Sequence, residues 1–196
     1  MAVATGLRAV WVLERGAREE KLLRLDPATG TMTVQHRFPP SSGVDSMTVG
    51  FGDVWLVSSA TATLYRVDPR LAAVDRLRVG QTAGRADAVF GDVWVNLSDH
   101  GGDTVTVDPK TLSITQDFHC CARSIADGSG VEAFGSAWGY DVAHGEVQRW
   151  NPPALGHVTQ VTDAPYYDGS CLTSITAGGG AVWVALAPAV DNACNF

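Results

Sequence analysis

Residues equipped for chemistry are sparse in this 196-residue chain, and their spacing matches no catalytic arrangement. The four cysteines stand at 120, 121, 171 and 194. They do not form paired Cys-x-x-Cys knuckles, so the spacing that closes a tetrahedral structural zinc site is missing. One His-x-Glu occurs, His144 and Glu146. That pair could assist a metal-dependent or acid–base step, but no second histidine stands at a comparable place. No Ser-His-Asp arrangement can be argued. The run Gly178-Gly179-Gly180-Ala181 is not a nucleotide loop, because no helix follows to aim its N-terminal N–H groups at a phosphate. The sequence therefore assigns no catalytic residue, no metal ligand and no cofactor. What remains are side chains suited to recognition, through directional polar contacts and ring faces: Asp99, His100, His119, Tyr140, Asp141, His144, Tyr166, Tyr167 and Asp168.

The elements that must carry these residues follow from an internal repeat. Five tryptophans lie in near-identical contexts: AVW at Trp11, DVW at Trp55, DVW at Trp94, SAW at Trp138 and AVW at Trp183. The steps between them are 44, 39, 44 and 45 residues. A small-residue turn precedes each one. A second mark follows the first four at 13 to 15 residues: Asp26-Pro27, Asp68-Pro69, Asp108-Pro109 and Asn151-Pro152. Two independent marks that hold register over four units exclude chance similarity. Each unit breaks into short β-rich runs punctuated by Gly, Pro, Asn and Asp. Four antiparallel strands in roughly 40 to 45 residues is the blade of a β-propeller.

The fold expected is all-β, a propeller of four-stranded antiparallel blades with about four and a half blades present. Blades span 1–40, 41–82, 83–125, 126–168 and a half blade 169–196, all in one partial propeller domain over 1–196. With strands named A to D outward from the axis, strand A lies near 44–50, 84–90, 130–134 and 171–177. Strand B carries the tryptophan, and strand C ends at the Asp-Pro. The five indoles are expected to fill the space between neighbouring sheets. Four and a half units fall short of a ring of whole blades, so an open arc or a fragment of a larger, seven-bladed ring is expected. Missing blades or a second chain would then cover the open ends.

Composition sets the broad class. Hydrophobic residues make up 45% and charged residues 18%, as in globular rather than disordered chains. No apolar run reaches the ~18 residues of a membrane-spanning helix. No basic segment leads an apolar one at the N-terminus, so no signal peptide is visible. A net charge of −7 argues against nucleic acid as partner, since phosphates select a basic face.

The segments GFGDVWLVSSATATLYRVDP and VFGDVWVNLSDHGGDTVTVDP resemble the bacterial seven-bladed propellers of the YVTN-repeat, YncE-like and virginiamycin B lyase-like group. The resemblance runs through the chain as repeat units and implies fold far more than function. Its lyase branch implies metal-assisted elimination through histidine and glutamate. His144 and Glu146 do not reproduce that pattern, so the alternative of a streptogramin lyase-like activity has no residues assigned to it.

In such a blade the B–C loops and D-to-A connectors share one face, and the A–B and C–D turns share the other. The B–C loops vary here: 14–20, 58–62, 97–103 and 140–146. The connectors 117–124 and 162–170 are irregular too. Binding residues sit on such loops above a rigid scaffold, and all nine recognition candidates fall there. The expected function is a non-catalytic binding, sensor or interaction module for a protein, peptide or glycan. A further alternative is an incomplete gene product with no activity of its own. The same map puts Cys120, Cys121 and Cys171 on connectors and Cys194 on a B–C loop. A disulfide between Cys171 and Cys194 is geometrically consistent, Cys121 with Cys171 is the alternative pair, and four free thiols stand beside both. A disulfide would place the chain outside the cytosol.

Overall fold

The structure, a computed structural model, describes residues 2–71, 73–97, 103–118, 131–141, 146–150, 158–163 and 170–188. The chain forms two compact units, Met1–Ala122 and Arg123–Phe196.

The first unit holds three four-stranded antiparallel sheets, each a meander in chain order. The first comprises β1 (Ala2–Gly6), β2 (Ala9–Arg15), β3 (Glu20–Leu25) and β4 (Met32–Phe38). The second comprises β5 (Val44–Gly50), β6 (Asp53–Ser58), β7 (Thr63–Val67) and β8 (Val74–Arg78). The third comprises β9 (Ala86–Val89), β10 (Asp92–Leu97), β11 (Asp103–Asp108) and β12 (Ser113–Phe118). The second unit holds a fourth such sheet and a hairpin. The sheet is β13 (Val131–Ala133), β14 (Ser136–Asp141), β15 (Glu146–Trp150) and β16 (Val158–Asp163); the hairpin is β17 (Ser170–Gly178) with β18 (Ala181–Pro188). Among the described residues there is no α-helix, and hence no helix long and apolar enough to cross a membrane.

Both sequence marks have a physical cause. The indole Nε1–H of Trp11, Trp55, Trp138 and Trp183 donates to the carbonyl five residues earlier, at Gly6, Gly50, Ala133 and Gly178, over 2.9 to 3.1 Å. The ring thereby straps its own A–B hairpin while its face is left for packing. The second mark closes the C–D turn. Asp26, Asp68 and Asp108 each turn a carboxylate oxygen back to accept from N–H groups two or three residues on, at Ala28, Arg70 and Lys110 among others. The proline that follows presets φ for the turn.

Alternation then builds the core between sheets. Along β6, Val54 and Leu56 join Trp11, Leu13 and Leu22 of the first sheet, while Trp55 and Val57 join Val93, Val95 and Val105 of the third. A strand buried on both faces reads as a continuous apolar run, which is why Asp53–Ser58 shows no polar alternation. The inner strands approach closely where two glycines face them. A Cβ on Gly6 would lie 2.5 Å from Val49, and one on Gly50 would lie 2.4 Å from Ala88.

In the second unit, Val147 and Ile175 are buried with Val131, Trp138, Val182 and Val184 around them, joining the fourth sheet to the hairpin. Trp55 is fully buried and Trp94 nearly so, as the repeat requires. Trp138 is half-buried. Trp183 departs from the expectation. Its ring is 60% exposed, because no strand among the described residues packs on that side of β18.

Candidate functional site

The face carrying the B–C loops and D-to-A connectors is described best in the first unit. There the connector from the first sheet to the second, residues 39–43, is fixed by side chains from both. Glu20, at the start of β3, is buried, and its Oε2 accepts from Ser42 Oγ at 2.6 Å and from the Val44 N–H at 3.0 Å. Ser58 Oγ donates to the Ser42 carbonyl, and Arg15 Nε donates to the Val44 carbonyl at 3.2 Å. Outside this knot, Glu19 is held below the usual carboxylate range by hydrogen bonds from Arg37 and then Lys21.

The connector delivers the chain to β5 with a bulge. Val44 pairs with Ser58 and Ser46 with Val57, so Asp45 is the extra residue. A bulge re-aims its side chain out of the strict alternation. The Asp45 carboxylate accepts from Ser59 Oγ through Oδ2, which also lies 3.9 Å from Arg15 Nη2. Its Oδ1 is buried and has no hydrogen-bond partner among the described residues. Asp45 lines a cavity of about 380 Å³ with Val3, Ser46, Met47, Gly84 and Arg85. These residues come from the start of β1, the start of β5 and the approach to β9, so the cavity opens where three inner strands begin. It is lined by one carboxylate and one guanidinium beside Val3 and Met47, which suits recognition of a polar group. Among the described residues no cluster of histidine, cysteine and carboxylate could hold a metal ion.

Of the sequence candidates, Asp99, His100, His119, His144, Tyr166, Tyr167 and Asp168 lie outside the described residues, as do Cys120, Cys121 and Cys194. The loop placement of Tyr140 and Asp141 is corrected: both belong to β14, because the ladder continues through Tyr140–Val147 to Asp141–Glu146. Glu146 is accordingly the first residue of β15. Cys171 likewise sits inside β17, opposite Ala187, rather than on a connector. Loop residues that keep backbone pairing cannot be told from the strand by composition alone. Sequence reasoning missed Asp45, since a bulge leaves no mark in residue types. The available signal was an acidic residue at the first turn of an inner strand where the repeat otherwise carries small or apolar residues.

No protein-family model matches the chain, and no curated protein matches it. Solved structures do resemble it. BamB from Moraxella catarrhalis aligns with a TM-score of 0.56 at 14% identity, over 87% of this chain and 56% of its own. Hsv2 from Kluyvelomyces marxianus aligns with a TM-score of 0.57 at 8% identity, over 94% of this chain and 53% of its own. A protein of unknown function from Bacteroides caccae aligns with a TM-score of 0.53 at 12% identity, over 78% of this chain and 62% of its own. This chain thus spans between half and two thirds of the length of each. BamB and Hsv2 are β-propeller proteins, and with sheet after sheet of four antiparallel strands the chain has the β-propeller fold, four blades and the inner hairpin of a fifth.

Proposed function

We propose that the chain is a non-catalytic binding or interaction module that receives a protein, peptide or glycan on its loop face. The observation that carries this reading is Asp45, re-aimed by a bulge and lining, with Arg85, a cavity of about 380 Å³. The nine recognition candidates, Asp99, His100, His119, Tyr140, Asp141, His144, Tyr166, Tyr167 and Asp168, belong to the same proposal as ligand-contacting residues. The finer reading, a part of a seven-bladed propeller of the YVTN or YncE-like kind, rests on the repeat marks and belongs to the same proposal, as does one partial propeller domain over 1–196.

The test is site-specific photo-crosslinking from position 46 and, as control, from exposed position 76 on the outer strand β8. A partner captured at 46, absent at 76 and lost with Asp45→Ala is the expected result. Equal capture at both positions, or ring opening of a streptogramin depsipeptide by the full chain with magnesium, would overturn it.

A further inference from the structure

On the opposite face, an arginine recurs directly across from the strand-B tryptophan. Arg24 pairs with Trp11, Arg66 with Trp55 and Arg149 with Trp138. In two of these repeats the guanidinium is consumed structurally. Arg66 donates to the carbonyls of Pro109 and Lys110 in the next sheet's C–D turn, at 2.8 and 3.2 Å, and pairs with Asp75 beside it. Arg149 donates to Ser136 Oγ at 2.8 Å and lies over the Trp138 ring.

Arg24 is different, and the repeat shows why. The strand-D residue opposite it is Thr33, where Arg66 has Asp75. At the start of strand B stands Ala9, where the next two sheets have Asp53 and Asp92. The second residue of the A–B turn is Arg8, where the next two turns have Gly52 and Gly91. The neighbouring C–D turn contributes Arg70, a cation like its counterpart Lys110 in the next notch, so three positions differ. Each difference removes a negative charge or adds a positive one. Together they convert a charge-balanced notch between sheets into one holding Arg8, Arg24 and Arg70 around a cleft of about 320 Å³, with Gln35, the extra residue of the β3–β4 bulge, on its wall. Among the described residues none of the three guanidiniums has a carboxylate within ion-pair distance. Of the nearby acids, Asp26 and Asp68 accept from their own turn N–H groups, and Asp53, beside Gly52, interacts with Arg70 only through the field and not as an ion pair. Arg8 also holds φ at +57°, a left-handed conformation that its glycine counterparts adopt without strain.

We propose that this notch binds a small molecule through a phosphate or pyrophosphate group. Guanidinium forks match phosphate oxygens two at a time, and three of them favour a multiply charged group over a single carboxylate. The site is separate from the cavity at Asp45 and does not depend on it.

The experiment is calorimetric titration of the full chain with pyrophosphate at low salt, with malonate as a carboxylate comparator. Saturable binding at one site is expected, with malonate weaker by about tenfold or more. Arg8→Gly and Arg24→Gln should each weaken pyrophosphate by about tenfold, the loss of one charge-assisted contact. Lys110→Gln, in the equivalent balanced notch, should leave affinity within about twofold. Arg8→Gly places the residue its turn prefers, so it keeps the test valid where Arg24→Gln disturbs folding. No saturable binding, malonate as tight as pyrophosphate, or unchanged affinity in Arg8→Gly would overturn the site. Binding to phosphate-bearing lipid vesicles without binding to soluble pyrophosphate would overturn the small-molecule assignment.

Discussion

At the scale of single residues, local polar chemistry and backbone conformation separate the positions that fold the chain from those that load it. Arg8 loads it. A non-glycine residue in the left-handed region costs roughly 1–2 kcal/mol, and glycine returns part of this through the freedom of the unfolded chain. Arg8→Gly should therefore stabilise by about 1 kcal/mol, read as a raised urea midpoint at unchanged slope. A lowered midpoint would mean that Arg8 is held by folding interactions instead. Asp108 folds the chain: its carboxyl lies below the ordinary value because the N–H groups of Thr111 and Lys110 donate to it. A carboxylate with a depressed folded value contributes stability that is complete above its unfolded value and fades as pH falls through the folded one. Asp92 has the opposite sign, raised by burial and then by the charge of Asp108. Asp108→Ala should destabilise at pH 7 and have little effect near pH 2, whereas Asp92→Asn should stabilise at pH 7 and lose that gain at low pH. Equal effects of either substitution at both pH values would contradict the assignment. The Asp-Pro marks were legible in the sequence because turn chemistry is local. The arginines were not, because their meaning appears only when Arg24, Arg66 and Arg149 are paired with tryptophans 11 to 13 residues away. The motif Arg-x-Asp/Asn-Pro, present in three of four units, was the signal to follow.

At the scale of elements, strand identity and order were readable from the two marks, and β5 occupies the residues 44–50 that the repeat assigned to it. Lengths at the loop end were not readable, as Tyr140, Asp141 and Cys171 show, because hydrogen-bonded pairing continues past the last residue whose type declares a strand. The packing between sheets gives the sharpest element-level expectation. Gly50→Val places a branched side chain 2.4 Å from Ala88 Cβ, and overpacking of this kind costs about 1–3 kcal/mol. Trp55→Ala empties a fully buried site between the second and third sheets and should cost ~3–5 kcal/mol. Denaturant titration of both variants checks this. If Gly50→Val leaves the midpoint unchanged, β5 and β9 are not adjacent inner strands.

At the scale of the molecule, a rigid repeat presents two chemically different surfaces of its first unit. The loop end offers an acid, Asp45, in a partly apolar cavity, and the turn end offers three arginines in a cleft, on a chain whose net charge is −7. The fold at this scale follows from a repeat that any reader of the sequence can find. The sites do not, since each arises where one unit departs from the others: an acid, Asp45, at a bulge where the equivalent bulge of β17 has Thr173, and three charge differences around Arg24. Hydrogen–deuterium exchange of the full chain, alone and with the partner captured through position 46, tests the central claim most directly. Protection concentrated at residues 44–47 and 84–86, with residues 7–8, 52 and 70 unchanged, is the predicted result. Protection confined to the turn residues, with the Asp45 segment exchanging as in the free chain, would contradict it.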